Sequence, residues 1–351
     1  MITSILRSFG IGEDCLVEPL TSGLINRTWK ITDGERQFIL QQINVQVFKK
    51  PFDVAANIRM INEYLNEQFP EYLFVSPLSN TNGQDIVYDK EEGYFRMFPF
   101  IKGSRTVDVV SSAEQAYEAA YQFGTFAKLL SGFDVTKLHT TIPDFHNLLL
   151  RYQQFEHSLE TGNKKRITQA GDLIRDLKER ISIVDEFKRL KKNTAVKERV
   201  AHHDTKISNV LFNADGRGMC VIDLDTIMPG YFISDVGDMM RTYLSPANEE
   251  EKDFSKIEIR DDFFRGIVQG YAKAMNNELT DAEKKLITYS GGFLVYMQAL
   301  RFLTDYFNND IYYGAKYEEH NFTRAGNQVE LLKRMEEKKD VLDAIVSEEV
   351  R

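Results

Sequence analysis

Cysteine is nearly missing from this chain: Cys15 and Cys220 are the only two among 351 residues. Two distant thiols without ligand or redox spacing exclude a disulfide framework and a thiolate metal site, and they suit a reducing compartment. Long apolar runs are missing too. No stretch of 18 apolar residues occurs, so no membrane-spanning helix is expected. The opening segment Met1–Arg7 is too short and too broken for a secretory leader. Basic residues are outnumbered, with 44 Lys and Arg against 53 Asp and Glu, a net charge of −9. No basic stripe gathers, which removes nucleic acid as an expected partner. The six histidines show no metal spacing, and there is no low-complexity tract or internal repeat. The expectation is a soluble, cytoplasmic globular protein, long enough for two cores.

The pattern of what is present changes along the chain. Cys15–Leu20, Arg27–Ile31 and Gln37–Ile43 read as strands, the last two joined by the hairpin signal Asp33-Gly34. Pro51–Phe69 keeps Val54, Ile58, Ile61, Leu65 and Phe69 on one helical face. Ile86–Tyr88 and Tyr94–Pro99 complete five strands. Residues 1–13 suit a short helix, Ala113–Leu130 a long one, and 166–192 a charged amphipathic stretch with a solvated face. Residues 250–345 again read as helices. A short hairpin interrupts the helical part: Val210–Phe212, the turn Asp215-Gly216, and Met219–Asp223. The expected organisation is α+β, with an N-terminal part over residues 1–100 and a larger, mainly helical part over 101–351.

The chemistry-bearing segment runs from 202 to 225. His202-His203-Asp204-Thr205-Lys206-Ile207-Ser208-Asn209 forms one loop, and the following strand pair ends at Ile222-Asp223-Leu224-Asp225. Phosphoryl transfer needs a carboxylate to take the proton of the attacking hydroxyl. It needs hard oxygen donors for a divalent cation, and a positive charge near the transferred group. Asp204 suits the first task, Asn209 with Asp223 the second, and Lys206 the third.

This ordered pattern resembles the catalytic loop and metal motif of protein-kinase-like phosphotransferases, including the aminoglycoside and choline kinase families. That resemblance implies a two-lobed fold with a five-stranded antiparallel N-lobe that binds the nucleotide and a helical C-lobe that binds the acceptor. A narrower similarity, to N-acetylhexosamine 1-kinases, extends over nearly the whole chain. It rests on Ser22–Thr28, Phe38–Asn44 with Val47-Phe48, Asp204–Phe212, Ile222–Gly230, Leu300–Tyr306 and Asp310–Tyr313. It implies transfer of the ATP γ-phosphate to the anomeric hydroxyl of N-acetylglucosamine or N-acetylgalactosamine, with Mg²⁺ as the ion and a monomer as the working unit. By the same resemblance Asp204 is the base, and Lys206 approaches the γ-phosphate. Asn209, Asp223 and, as a weaker candidate, Asp225 hold the metal. Thr226, Arg301 and Tyr312 join Asp204 in binding the sugar. Ser22, Gly23 and Leu24 cover the phosphates, Gln41 stands on the third strand, and Met97, Phe98 and Phe100 lie where adenine binds.

One residue departs from the general kinase pattern. The third strand normally carries a lysine that pairs the phosphates and a helix glutamate; here it carries Gln41, which brings no charge. The charge must come from metal, from Lys206, or from Lys30 or Arg27. The alternatives are an aminoglycoside- or choline-type kinase, whose cationic acceptor would want acids beside Asp204, and a nucleotide-binding pseudokinase. Of Asp235 and Asp238, one is expected to brace the catalytic loop, and His202 to hold it by hydrogen bonds.

Overall fold

The computed structural model describes residues 2–20 and 25–350. By contacts the chain falls into two units. The first gathers residues 1–106, 132–143 and 211–229, the second 107–131, 144–210 and 230–351.

The first unit opens with helix α1 (Ile2–Ser8), shorter than the 13 residues expected, because Gly10 and Gly12 follow it. Five strands form one antiparallel sheet in the order β1-β2-β3-β5-β4. They are β1 (Leu16–Leu20), β2 (Arg27–Asp33), β3 (Arg36–Gln42), β4 (Val87–Asp89) and β5 (Gly93–Pro99). Gly34, at φ +59°, makes the tight β2–β3 turn at the predicted Asp-Gly pair. Alternation puts Ile31, Leu40, Phe95 and Met97 on one face, where they form a core with Ile5 and Leu6 of α1. Helix α2 (Pro51–Gln68) starts on a proline, whose missing N–H costs nothing at a first turn, and buries Val54, Ile58, Ile61 and Leu65. The predicted hairpin is present as β7 (Val210–Phe212) and β8 (Gly218–Val221), turning at Gly216.

The second unit is mainly helical. Helix α3 (Ala113–Leu129) begins where the Ser112 side chain accepts the Gln115 N–H. It packs along α9 (Asp261–Met275), and Gly270 permits the approach: a Cβ there would strike the Tyr117 carbonyl. Helix α4 is Leu148–Thr161. The amphipathic stretch 166–192 is helical as three short pieces, α5 (Lys164–Gln169), α6 (Gly171–Glu179) and α7 (Ser182–Leu190), with Ala170 and Arg180 ending two of them. Strands β6 (Arg199–Ala201) and β9 (Met228–Gly230) flank the motif region, followed by α8 (Phe232–Tyr243). Then come α10 (Asp281–Lys284), α11 (Ile287–Phe307), α12 (His320–Glu337) and α13 (Lys339–Glu349). Helix α11 is apolar almost all round, as a central helix must be, and packs against α4, α8 and α12. Among the described residues no helix is long and apolar enough to cross a membrane.

Candidate active site

In the second unit the site grows from β6. Its Arg199 is buried in an ion pair with Glu283, which also closes a capping box with Thr280 at the start of α10. The strand thus enters the next loop from a fixed point. His202 and His203 follow, and His203 stands in the left-handed region at φ 66°, a conformation that costs about 1–3 kcal/mol outside glycine. Asp235 of α8 stabilises that turn: its carboxylate accepts the His202 N–H at 3.0 Å and the His203 N–H at 2.8 Å. Asp238, one turn further along, accepts the Thr205 N–H at 2.8 Å, and the Tyr243 hydroxyl donates to the Thr205 carbonyl. Both aspartates brace the loop, where one was expected. Burial pushes the Asp235 carboxyl up to about 7 despite its two N–H donors, and Asp238 adds to the push. The His202 ring is buried against Phe123 and Phe126.

Asp204 is left at the loop's open side, its side chain 24% exposed. Burial works to raise its carboxyl. Lys206, His202 and the Asn209 amide outweigh it, and the group is held below the ordinary carboxylate value. Lys206 Nζ lies 3.0 Å from Asp204 Oδ2. Asn209 Nδ2 donates to the Asp204 carbonyl at 2.8 Å and to Oδ2 at 3.0 Å.

Beside this loop runs a chain of rings. His203 Nδ1 is 3.4 Å from His146 Nδ1, the His146 ring stacks on Phe145, and the Arg301 guanidinium lies over Phe145. Arg301 also reaches the Tyr312 hydroxyl at 3.4 Å, although Tyr312 is 71% exposed. Burial, then His203, Arg301, Arg241 and Arg151, hold His146 well below its ordinary value, so it is neutral at pH 7. The nearby acids are engaged elsewhere. Asp305 accepts the Tyr312 and Tyr313 N–H groups, and Asp310 pairs with Arg166. Phe145 and His146 escaped the sequence reading because nothing in a lone Phe-His pair signals what it stacks on.

In the first unit, β8 runs into Asp223, again left-handed at φ 62° and exposed. Asn57 of α2 donates to the Ile227 and His139 carbonyls and so holds the segment after it. Asp225 and Thr226 are buried here. Asp225, expected as a weaker metal candidate, faces Arg96 of β5 in an ion pair, and its other oxygen accepts from Asn26 Nδ2 at 2.8 Å. Gln41 is opposite Arg96 in the sheet, and its side-chain oxygen accepts two N–H groups of that arginine, at 2.8 and 3.1 Å. Met97 lies in the sheet core, and its carbonyl accepts the Leu78 N–H. Phe98 is on the opposite face, with Ile101, Met219 and Ile222 around Val75, Leu211 and Cys220. The Phe100 N–H is taken by the Gln37 carbonyl, and Lys30 lies over the Phe100 ring. Ser22, Gly23 and Leu24 lie outside the described residues. Burial pushes the Cys220 thiol up to about 12, so it is inert.

Among the described residues no group of three or more His, Cys, Asp or Glu is placed to hold a metal. That excludes a caged site within them.

An antiparallel five-stranded sheet in one unit, and a mainly helical second unit with a braced Asp-x-Lys-x-x-Asn loop, define a kinase-like α+β phosphotransferase fold. Residues 16–274 match the model of the APH phosphotransferase enzyme family, and the chain belongs to that family. By that membership it is a phosphotransferase. Solved structures are similar in fold at low identity. An aminoglycoside phosphotransferase from Alicyclobacillus acidocaldarius has 11% identity and a TM-score of 0.66, over 99% of this chain and 97% of that one. An amicoumacin kinase, in complex with AMP-PNP, Ca²⁺ and amicoumacin, has 15% identity and a TM-score of 0.65, over 95% and 92%. A choline kinase from Cryptosporidium parvum has 13% identity and a TM-score of 0.58, over 98% and 96%.

Proposed function

We propose that this enzyme phosphorylates the anomeric C1 hydroxyl of an N-acetylhexosamine, using ATP and Mg²⁺. The observation that carries the choice of acceptor is the character of the surroundings beside Asp204: neutral His146, stacked Phe145, and the guanidinium groups of Arg301 and Arg151. A polycationic aminoglycoside would meet repulsion there. The two acids that could have offset it, Asp305 and Asp310, are taken up by backbone N–H groups and Arg166. A sugar ring suits an aromatic face, and an acetamido carbonyl suits an arginine.

In this reading Asp204 accepts the hydroxyl proton as the sugar oxygen attacks the γ-phosphorus and the bond to ADP breaks. The carboxyl is ionised at neutral pH because Lys206 and Asn209 hold it so. Lys206 moves its charge toward the γ-phosphate. Asn209 and Asp223 supply oxygens to Mg²⁺, which when bound neutralises phosphate charge. Asp225, with both oxygens engaged, is the weaker ligand. Thr226, Arg301 and Tyr312 bind the sugar, Phe98 and Phe100 lie toward adenine, and Gln41 with Ser22, Gly23 and Leu24 serves the phosphates. Residues 1–100 form the nucleotide part and 101–351 the acceptor part.

A second reading, an aminoglycoside or amino-alcohol acceptor, is supported by what the structurally similar kinases are named for. ADP release measured across N-acetylglucosamine, N-acetylgalactosamine, choline and a set of aminoglycosides separates the two. Turnover confined to the cationic acceptors would reject the sugar assignment.

A further inference from the structure

Arg96 is only 2% exposed and Asp225 only 1%, an arginine–aspartate pair sealed in the interior of the first unit. Charge buried this deeply costs several kcal/mol unless every partner is in place, so its wiring is informative. Among the described residues Arg96 meets the Asp225 carboxylate, the Gln41 amide oxygen at 2.8 and 3.1 Å, and the face of Phe98 at 5.0 Å. Asp225 adds Asn26, whose own side-chain oxygen accepts the Asn44 N–H. The pair therefore ties three points to the short turn that follows Asp223. They are Asn26 just before β2, the third strand at Gln41, and β5. Asp223 itself holds a left-handed backbone, a state a non-glycine residue keeps only when its surroundings over-determine it.

We propose that Arg96 is a positioning residue for the metal carboxylate. It clamps Asp225, and through the turn 223–225 it presents the Asp223 side chain to the divalent ion. Gln41 on the third strand serves as the arginine's acceptor. The cation that the third strand lacks is thus supplied from β5 and directed at the metal turn. At 2% exposure Arg96 cannot reach a nucleotide phosphate, so its action passes through Asp225. The inference rests on the reading of Asp223 as a metal ligand.

The test is calorimetric titration of ADP into the full-length enzyme at stepped Mg²⁺ concentrations, with folding checked by circular dichroism. The variants are Arg96→Lys, Arg96→Met, Asp225→Asn and the double Arg96→Met/Asp225→Asn. Loss of an outer-shell partner typically weakens metal affinity about 10–100-fold. Arg96→Met and Asp225→Asn are each expected to raise the Mg²⁺ concentration at half-effect at least tenfold. The double variant should match either single one, because one clamp is removed in all three, and Arg96→Lys should fall between wild type and Arg96→Met. If Asp225 were itself a ligand, freeing it by Arg96→Met would leave Mg²⁺ dependence unchanged or tighten it, and either result overturns the proposal. Should Arg96→Met fail to fold, the double variant carries the test, since it leaves no lone buried charge. Wild-type Mg²⁺ dependence in a folded double variant overturns the clamp. ADP binding by wild type that ignores Mg²⁺ overturns the metal reading, and the clamp with it.

Discussion

Asp204 and Lys206 stand 3.0 Å apart, and the lysine is among the groups that keep the carboxylate ionised. Removing the carboxylate removes proton acceptance without removing volume. Asp204→Asn is expected to bind nucleotide and acceptor like wild type and to lose about 10²–10⁴-fold in kcat, read by steady-state kinetics beside calorimetric binding. Retained turnover would end the assignment of the base. Lys206 is one of the groups that hold Asp204 below the ordinary carboxylate value. Lys206→Met removes a lowering influence, so the Asp204 carboxyl rises. The acid limb of the kcat–pH profile should then move to higher pH, with a lower plateau. An acid limb that stays in place would mean that another group limits the rate there. At this scale the sequence was readable because the loop's residues are contiguous: Asp204, Lys206 and Asn209 fall within six positions. Arg96 was not readable as Asp225's partner, because 129 positions separate them and only the folded unit pairs them.

The loop between β6 and β7 does not hold its shape alone; α8 holds it. Asp235→Ala leaves two backbone N–H groups without their carboxylate and the left-handed His203 without its restraint. Hydrogen bonds to charged groups contribute about 1.5–3 kcal/mol each. The variant should therefore lose on the order of 3 kcal/mol in urea unfolding and lose activity as well. A loss under about 0.5 kcal/mol would show that the loop is set elsewhere. The segment around His146 makes a pH prediction. Its imidazole is neutral in the folded protein, held below 6.5 by burial and by His203, Arg301, Arg241 and Arg151. The stabilisation this gives is present above pH 6.5 and is lost as pH falls, because the unfolded chain takes up the proton first. Wild type should lose stability on acidification below pH 6.5 faster than His146→Gln, by at most about 1.4 kcal/mol per pH unit. Parallel stability curves would contradict this. Element types followed from period and turn chemistry, as at Asp33-Gly34 and Pro51. The break at Ala170 carries a signal in Gly171, which the amphipathic pattern masked, whereas the one at Arg180 has no breaker residue.

For the whole molecule, a net charge of −9 sets the background against which an anionic nucleotide must bind. In the proposed reading the ion is shared between Asn209, Asp223 and the nucleotide phosphates. Chelation with EDTA should abolish transfer, and added Mg²⁺ should restore it in proportion to the Mg–ATP formed, followed by ADP release. Transfer that survives chelation would remove Asn209 and Asp223 from their proposed role. The cationic side chains near Asp204 also predict an order among acceptors. N-acetylhexosamines should be used well and polycations poorly, and raising salt should narrow the gap as charges are screened.

The order of strands and helices, the Asp204–Asn209 loop and the candidate metal residues were legible in the sequence itself. Each depends on local periodicity, turn residues or a spacing of a few positions. Tertiary structure alone decided that both Asp235 and Asp238 serve the loop. It decided that Asp305 and Asp310 are engaged within the helical unit rather than left to attract a cationic acceptor. It also decided that the charge missing at Gln41 is answered by Arg96 against Asp225. These outcomes depend on which distant groups share one low-dielectric volume, and there an unmatched charge is too costly to persist.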